Sequence, residues 1–418
     1  MLLGGCLDLG ISKPESYRET AEMLSGCGMD FVVMMEDRQP DFFLSYDGYR
    51  SDAYVRLNRH GPHDSSSYHP TQSDLRRFVR LLNDSGIEVM YGFWVHENRW
   101  VATRHPELLL TDTGGHKWHS SNFSYDFNPL LEFGQDDEYY GVKRGDPFDH
   151  YVCRQYRRLS DDFGFTGLFV GDGGMGFRVF ANETAGVNTF DYSSASISKF
   201  IGSRFCQTGT HRKGDVCLLE EGRREPMTDW TESLGQKLAM EIANSHIDEF
   251  AEWNCSEWAR FYRTLSVEVR REESKGRLGA YTCMNYGPAM ARLHGVDYKA
   301  IAAAGLDYLV FQSYSYAWGK HFGLAGKDTR TNLEQLRLLR ADLDGETRAS
   351  ATSLLVTAET GDSVENWSCP AEHTLSELRT YVGSGHGHRR RADGAFIVWL
   401  NETPAGLIRD IGNTMKSG

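Results

Sequence analysis

Phe163-Gly-Phe-Thr-Gly-Leu-Phe-Val-Gly-Asp-Gly-Gly-Met-Gly-Phe177 sets a helix stop, a buried strand and a carboxylate in immediate succession. Thr166–Val170 is a short apolar run, long enough for one buried strand and too short for a helix. The amphipathic segment Tyr151–Phe163 precedes it, and Gly164 reads as that helix's stop. The run ends on Gly171-Asp172-Gly173-Gly174, so an acid sits just past a strand's C-terminal end. Helix, glycine, strand and acid in that order are the grammar of a parallel sheet, which binds ligands at the carboxyl ends of its strands. An isolated Asp-Gly would more simply cap a turn. Recurrence of the pattern decides between the two readings.

Working outward, buried strands are predicted at Leu2–Leu9, Phe31–Met35, Ile87–Phe93, Thr166–Val170, Leu278–Asn285, Asp307–Gln312, Ala351–Ala358 and Gly394–Leu400. Helical periodicity falls between them at Ser16–Gly26, Ser73–Asn83, Tyr151–Phe163, Ser194–Phe205, a long stretch to about Ser274 broken near Asn254, Tyr298–Ala304, Asn332–Leu343 and Leu375–Val382. A last helix covers Leu407–Thr414. Eight strands alternating with helices predict a single (β/α)8 TIM barrel over 1–418, with long loops after strands 2, 3 and 4. Those excursions span about 38–70, 101–148 and 173–233. An open doubly wound sheet would carry a glycine-rich phosphate loop after an early strand, whereas Gly4-Gly5 lies inside the first one.

The 418 residues carry a formal charge of −13, which argues against a nucleic-acid or anionic-membrane partner. No window is apolar enough for a membrane span. Eight scattered cysteines without Cys-x-x-Cys read as free thiols in apolar segments. The absence of a basic, apolar leader before Leu2 predicts a cytoplasmic protein, with secretion left open should a leader have been removed. Homo-oligomerisation is left open as well.

A barrel would gather the residues just past each strand on one rim. These are Asp8, Glu36, Asp37, Trp94, His96, Glu97, Asp172, Asn285, Tyr286, Gln312, Tyr314, Glu359, Asn401 and Glu402, with Arg99 following on the third strand and His119 reaching in from its loop. Carboxylates and amides suit hydroxyl groups, and aromatic faces suit the C–H faces of sugar rings, so a carbohydrate partner is expected. Phosphosugars are disfavoured, because Glu359-Thr-Gly and Glu402-Thr-Pro stand where a phosphate nest would be. Paired carboxyls are the equipment of glycoside hydrolysis, one donating a proton and the other attacking carbon or activating water.

Gly167-Leu-Phe-Val-Gly-Asp172 resembles the fourth-strand region of retaining barrel glycosidases of the α-glucosidase, α-galactosidase and α-fucosidase types. Those enzymes have Gly-x-Phe/Trp-x-x-Asp, with the Asp as nucleophile. His105-Pro-Glu-Leu-Leu109 and Asp126-Phe-Asn-Pro129 also look like their loops. The resemblance covers roughly a third of the chain and implies a superfamily, with Asp172 as nucleophile and no cofactor. The chain departs from those families at strands five and six, which end in Asn285 and Gln312, not in acids. The proton donor is therefore sought among Asp8, Glu36, His96, His119 and Glu359, and the catalytic candidates are Asp172, Asp8, Glu359 and His119. Glu36, Trp94, His96, Glu97, Arg99, Asn285, Gln312 and Tyr314 are the substrate-binding candidates. No metal site is expected, since His60, His63 and His69 match no ligand spacing and His-Glu-x-x-His is absent. A metal-dependent hydrolase or lyase barrel and a non-catalytic carbohydrate-binding barrel stay open. Metal analysis, or binding without turnover, would separate them.

Overall fold

The computed structural model describes the chain apart from residues 8–15, 36–70, 95–100, 102–103, 118–126, 139–140, 172–189, 209–231, 272–275, 283–286, 322, 324–327, 363–366, 384–390, 399, 401–402 and 418. Eight parallel strands close into a barrel: β1 (Leu2–Leu7), β2 (Phe31–Met35), β3 (Glu88–Trp94), β4 (Gly167–Gly171), β5 (Arg277–Tyr281), β6 (Tyr308–Phe311), β7 (Ser353–Ala358) and β8 (Gly394–Ile397). Each pairs with its sequence neighbour, and β1 pairs with β8 to complete the ring. The helices are α1 (Tyr17–Gly26), α2 (Gln72–Asp84), α3 (Phe148–Phe163), α4 (Ser194–Thr208), α5 (Glu232–Ser245), α6 (Ile247–Val269), α7 (Pro288–Leu293), α8 (Tyr298–Ala303), α9 (Thr329–Asp344), α10 (Ala371–Val382) and α11 (Ala405–Ser417). The (β/α)8 expectation therefore stands.

Local chemistry sets the helix ends. Gly164 stops α3 in the left-handed region at φ 83°, with its N–H on the Ser160 carbonyl. Thr71 and Asp74 form a reciprocal capping box at the start of α2. The helical stretch after β4 breaks at His246, not near Asn254. Asn254 lies inside α6, its amide donating to the Phe250 carbonyl one turn earlier. Strand ends also differ from expectation. β5 stops at Tyr281, β8 stops at Ile397, and a 3-10 turn at Ala349–Ala351 delays β7 to Ser353, while the expected end of β1 at Leu9 lies outside the described residues.

Period-two alternation splits each strand between two cores. Phe31, Val33, Met90, Phe169, Tyr281, Tyr308, Val310, Leu355 and Phe396 fill the barrel interior, while the alternate residues pack outward against the helices. The interior aromatics interleave with glycines of neighbouring strands. Phe31 stacks on Tyr308 at 4.4 Å between centroids, and its ring occupies the space a Gly4 side chain would need. Phe169 fills the same role opposite Gly279. A Cβ on Gly4 would stand 2.2 Å from the Phe31 ring, which Tyr308 prevents from retreating. Gly4→Ala is expected to destabilise the fold by about 1–3 kcal/mol, read as a lower midpoint in urea at unchanged slope. A midpoint equal to wild type would show that the interior is not packed in this way.

The described part of the third loop is docked. His105 is fully buried, with Nδ1 3.1 Å from Glu107 and Nε2 3.5 Å from Asp137. Asp191 accepts from Thr111 N–H and from the Asn128 amide, fastening that loop to the segment leading into α4. A satellite core of Phe190, Ile197, Phe200, Leu238, Phe250 and Trp253 holds α4, α5 and the start of α6 together. Among the described residues no helix is long and apolar enough to cross a membrane.

Candidate active site

The parallel barrel brings all strand C-terminal ends to one face, so the rim is built where the alternation of strand and helix places it. Glu359 follows directly on Ala358, the last residue of β7. Leu355 belongs to the interior core, and the inward face of β7 runs on from it through Thr357. Thr357 is bonded across to β6: its hydroxyl accepts from Ser313 N–H at 2.8 Å, and its carbonyl accepts from the Ser313 hydroxyl. That pairing fixes the chain after β6, which turns into a π-helical segment at Ser315–His321.

The amides of Tyr316 and Ala317 in this segment converge on Glu359. Its Oε2 accepts from Tyr316 N–H at 2.7 Å and from Ala317 N–H at 3.3 Å. Oε1 is buried without a hydrogen-bond partner among the described residues. The residue is only 1% exposed. Burial pushes its carboxyl well above the usual glutamate range, the negative charge of Glu377 pushes the same way, and the two amides oppose them without prevailing. Burial therefore favours the neutral form of this carboxyl, whose Oε2 rests on the two amides.

The raised pKa fixes the pH dependence of stability. Folding favours the protonated group, so its contribution is fully present below the unfolded glutamate pKa of about 4.3 and is lost as pH rises through the folded value. Glu359→Gln mimics the neutral acid at every pH. Its Tm is expected to exceed that of wild type above neutrality, with the difference vanishing near about pH 4. A constant offset at all pH values would mean that Glu359 does not titrate as inferred.

Gln312 and Tyr314 follow β6 and are both buried. Gln312 N–H donates to Thr282 Oγ1 at 3.1 Å, and Tyr314 packs with Ala317, Cys369 and Val398. Trp94 is the last residue of β3. Asp8, Glu36, His96, Glu97, Arg99, His119, Asp172 and Asn285 lie outside the described residues. In the chain, Asp8 follows the end of β1 and Asp172 the end of β4. The loop residues that carried the resemblance, His105 and Asn128, are tied into buried polar contacts of the third loop. Among the described residues no three His, Cys, Asp or Glu side chains gather as a metal ion would require.

Sequence reading missed the polar group behind Glu359. Glu377 accepts from the Ser315 hydroxyl, from Thr329 Oγ1 at 2.5 Å and from Tyr381 OH at 3.1 Å, with His373 Nε2 3.5 Å from its second oxygen. The available signal was the spacing His373, Glu377, Tyr381, one face of a helix. It was lost because that helix begins at Ala371, ahead of the expected Leu375.

No family model matches this sequence, and no curated protein matches it. Its barrel fold is similar to that of several solved structures. The whole chain superposes on the β-galactosidase of the psychrophilic Marinomonas ef1 with TM-score 0.59 at 14% identity, covering 59% of that chain. It superposes on the β-galactosidase of the Antarctic haloarchaeon Halorubrum lacusprofundi with TM-score 0.53 at 14% identity, covering 58%. For the catalytic domain of β-amylase from Paenibacillus polymyxa the TM-score is 0.51 at 12% identity, and 98% of that chain is covered. The protein thus spans under two thirds of the two β-galactosidases and nearly all of the β-amylase domain.

Proposed function

We propose that the protein hydrolyses a glycosidic bond at the C-terminal mouth of the barrel, with Glu359 as the proton donor and Asp172 as the second carboxyl. The observation that carries this reading is the state of Glu359. A buried acid at a strand end, with one oxygen fixed by two amides and the other without a partner among the described residues, suits protonation of a departing glycosidic oxygen. Asp172, after β4, then attacks the anomeric carbon or activates a water. Asp8 and His119 are held in reserve for that second role. Gln312, Tyr314 and Trp94, with Glu36, His96, Glu97, Arg99 and Asn285, are assigned to hydroxyl and ring-face contacts with the sugar. The barrel shared with the β-galactosidases makes β-galactosides the first substrates to try.

A panel of chromogenic glycosides, β-galactosides among them, tests the reading with wild type and Glu359→Gln assayed side by side. Turnover by wild type that is lost in the variant is the expected result. Binding of sugars without turnover would replace the hydrolase with a carbohydrate-binding barrel. An activity abolished by chelator and untouched by Glu359→Gln would replace it with metal-dependent chemistry.

A further inference from the structure

Two interlocked sets of contacts lie behind Glu359. In one, the amides of Tyr316 and Ala317 hold its Oε2. In the other, Glu377 gathers three hydroxyl donors, and one of them, Ser315, is the residue that opens the amide-bearing segment. α10 also reaches the strand end directly, since the Thr374 hydroxyl donates to the Glu359 carbonyl at 2.5 Å. Glu377 is 6% exposed, so it sits out of reach of bulk water yet only one residue removed from the amide pair. A carboxylate serving merely as a helix staple has no reason to end on the first residue of the segment that binds the acid.

We propose that Glu377 is a positioning residue for Glu359: by anchoring Ser315 it fixes the two amides that hold Oε2 and leaves Oε1 toward the substrate. This rests on the reading of Glu359 as the proton donor. Losing the anchor lets the segment drift, and a misplacement of about 1 Å in such a site costs on the order of a hundredfold in rate. Glu377 also acts by charge. Among the described residues, the groups that interact electrostatically with Glu359 from α10 and the residues just before it are Glu377, Tyr381 and Cys369; His373 lies beside Glu377, and on the β6 side Lys320 lies over the Tyr316 ring. Of these, Glu377 is the one whose charge adds to burial in raising the Glu359 carboxyl.

Two variants divide position from charge. Glu377→Gln keeps an acceptor for Ser315, Thr329 and Tyr381 while removing the charge, and Glu377→Ala removes both. The carboxyl of Glu359 is followed by its infrared C=O band, taken as wild type minus Glu359→Gln, and the same subtraction is made in each Glu377 background. Titration of that band is expected to move to lower pH by about one unit in Glu377→Gln. In Glu377→Ala the band is expected to shift in frequency and broaden as well, with kcat falling roughly ten- to a hundredfold and KM changing little. Ser315→Ala should reproduce the broadening without the full titration shift, because the charge remains.

A Glu359 band that titrates alike in wild type and both Glu377 variants, with only Tm altered, would make Glu377 a structural staple and overturn the proposal. Failure of the underlying reading looks different. There, Glu359→Gln itself would turn over glycosides at the wild-type rate, and the positioning role would fall with it.

Discussion

Asp172→Asn is expected to lower kcat at least a thousandfold, about 4 kcal/mol of transition-state stabilisation, while leaving Tm nearly unchanged. Asparagine keeps the size and hydrogen-bonding capacity of the side chain. It removes the negative charge that, in the proposed role, would attack the anomeric carbon or stabilise an oxocarbenium-like centre. The competing role is that of a turn cap in Gly171-Asp172-Gly173. A cap would give the opposite result: kinetics almost untouched and at most about 1 kcal/mol lost in stability. The two outcomes are separated by one variant, one rate and one melting curve. Retention of more than a tenth of wild-type activity would remove Asp172 from the chemistry, and Asp8 paired with a histidine would become the leading assignment. The stereochemistry of the released sugar then distinguishes direct attack from water activation, retention marking the first and inversion the second.

Glu359→Gln should produce a loss that depends on the leaving group. A general acid contributes about a hundred- to ten-thousandfold when the departing oxygen is strongly basic. With an alkyl glycoside, kcat/KM is expected to fall by that factor. With a dinitrophenyl glycoside, whose phenolate leaves without protonation, the variant should approach wild type in the step that breaks the bond. If Glu359 is the proton donor, the wild-type rate on the alkyl substrate should fall as pH rises through its raised pKa, because a general acid acts in its protonated form. In the variant that alkaline limb should disappear. Equal losses on both substrates would assign Glu359 to attack or charge stabilisation, because those roles do not depend on how well the oxygen leaves.

The order of elements is a local property, and the sequence alone carries it. Each buried strand is a run such as Gly167–Gly171 with a helix stop before it, and Gly164 adopts the left-handed conformation that its position demanded. Parallel closure follows from that order, so Glu359 could be placed on the rim from its position after Ala351–Ala358 alone. Three things could not be read that way. Gly4-Gly5 looked like part of an ordinary apolar strand, but only the closed barrel shows that Gly4 makes room for the Phe31 ring. The break between α5 and α6 at His246 has no proline or glycine to announce it, and Asn254 resembles a stop until its side chain is seen bonded within its own helix. The environment of Glu359 is the third. Its amide clamp comes from residues more than forty positions earlier in the chain, and the Glu377 that charges its surroundings meets Ser315 across a separation of 62. A carboxyl's pKa is set by what surrounds it and by how much water is excluded, and both are fixed only when distant segments pack together. The sequence could therefore say that an acid stands at the end of β7, and only the tertiary structure could say that burial and Glu377 raise its pKa.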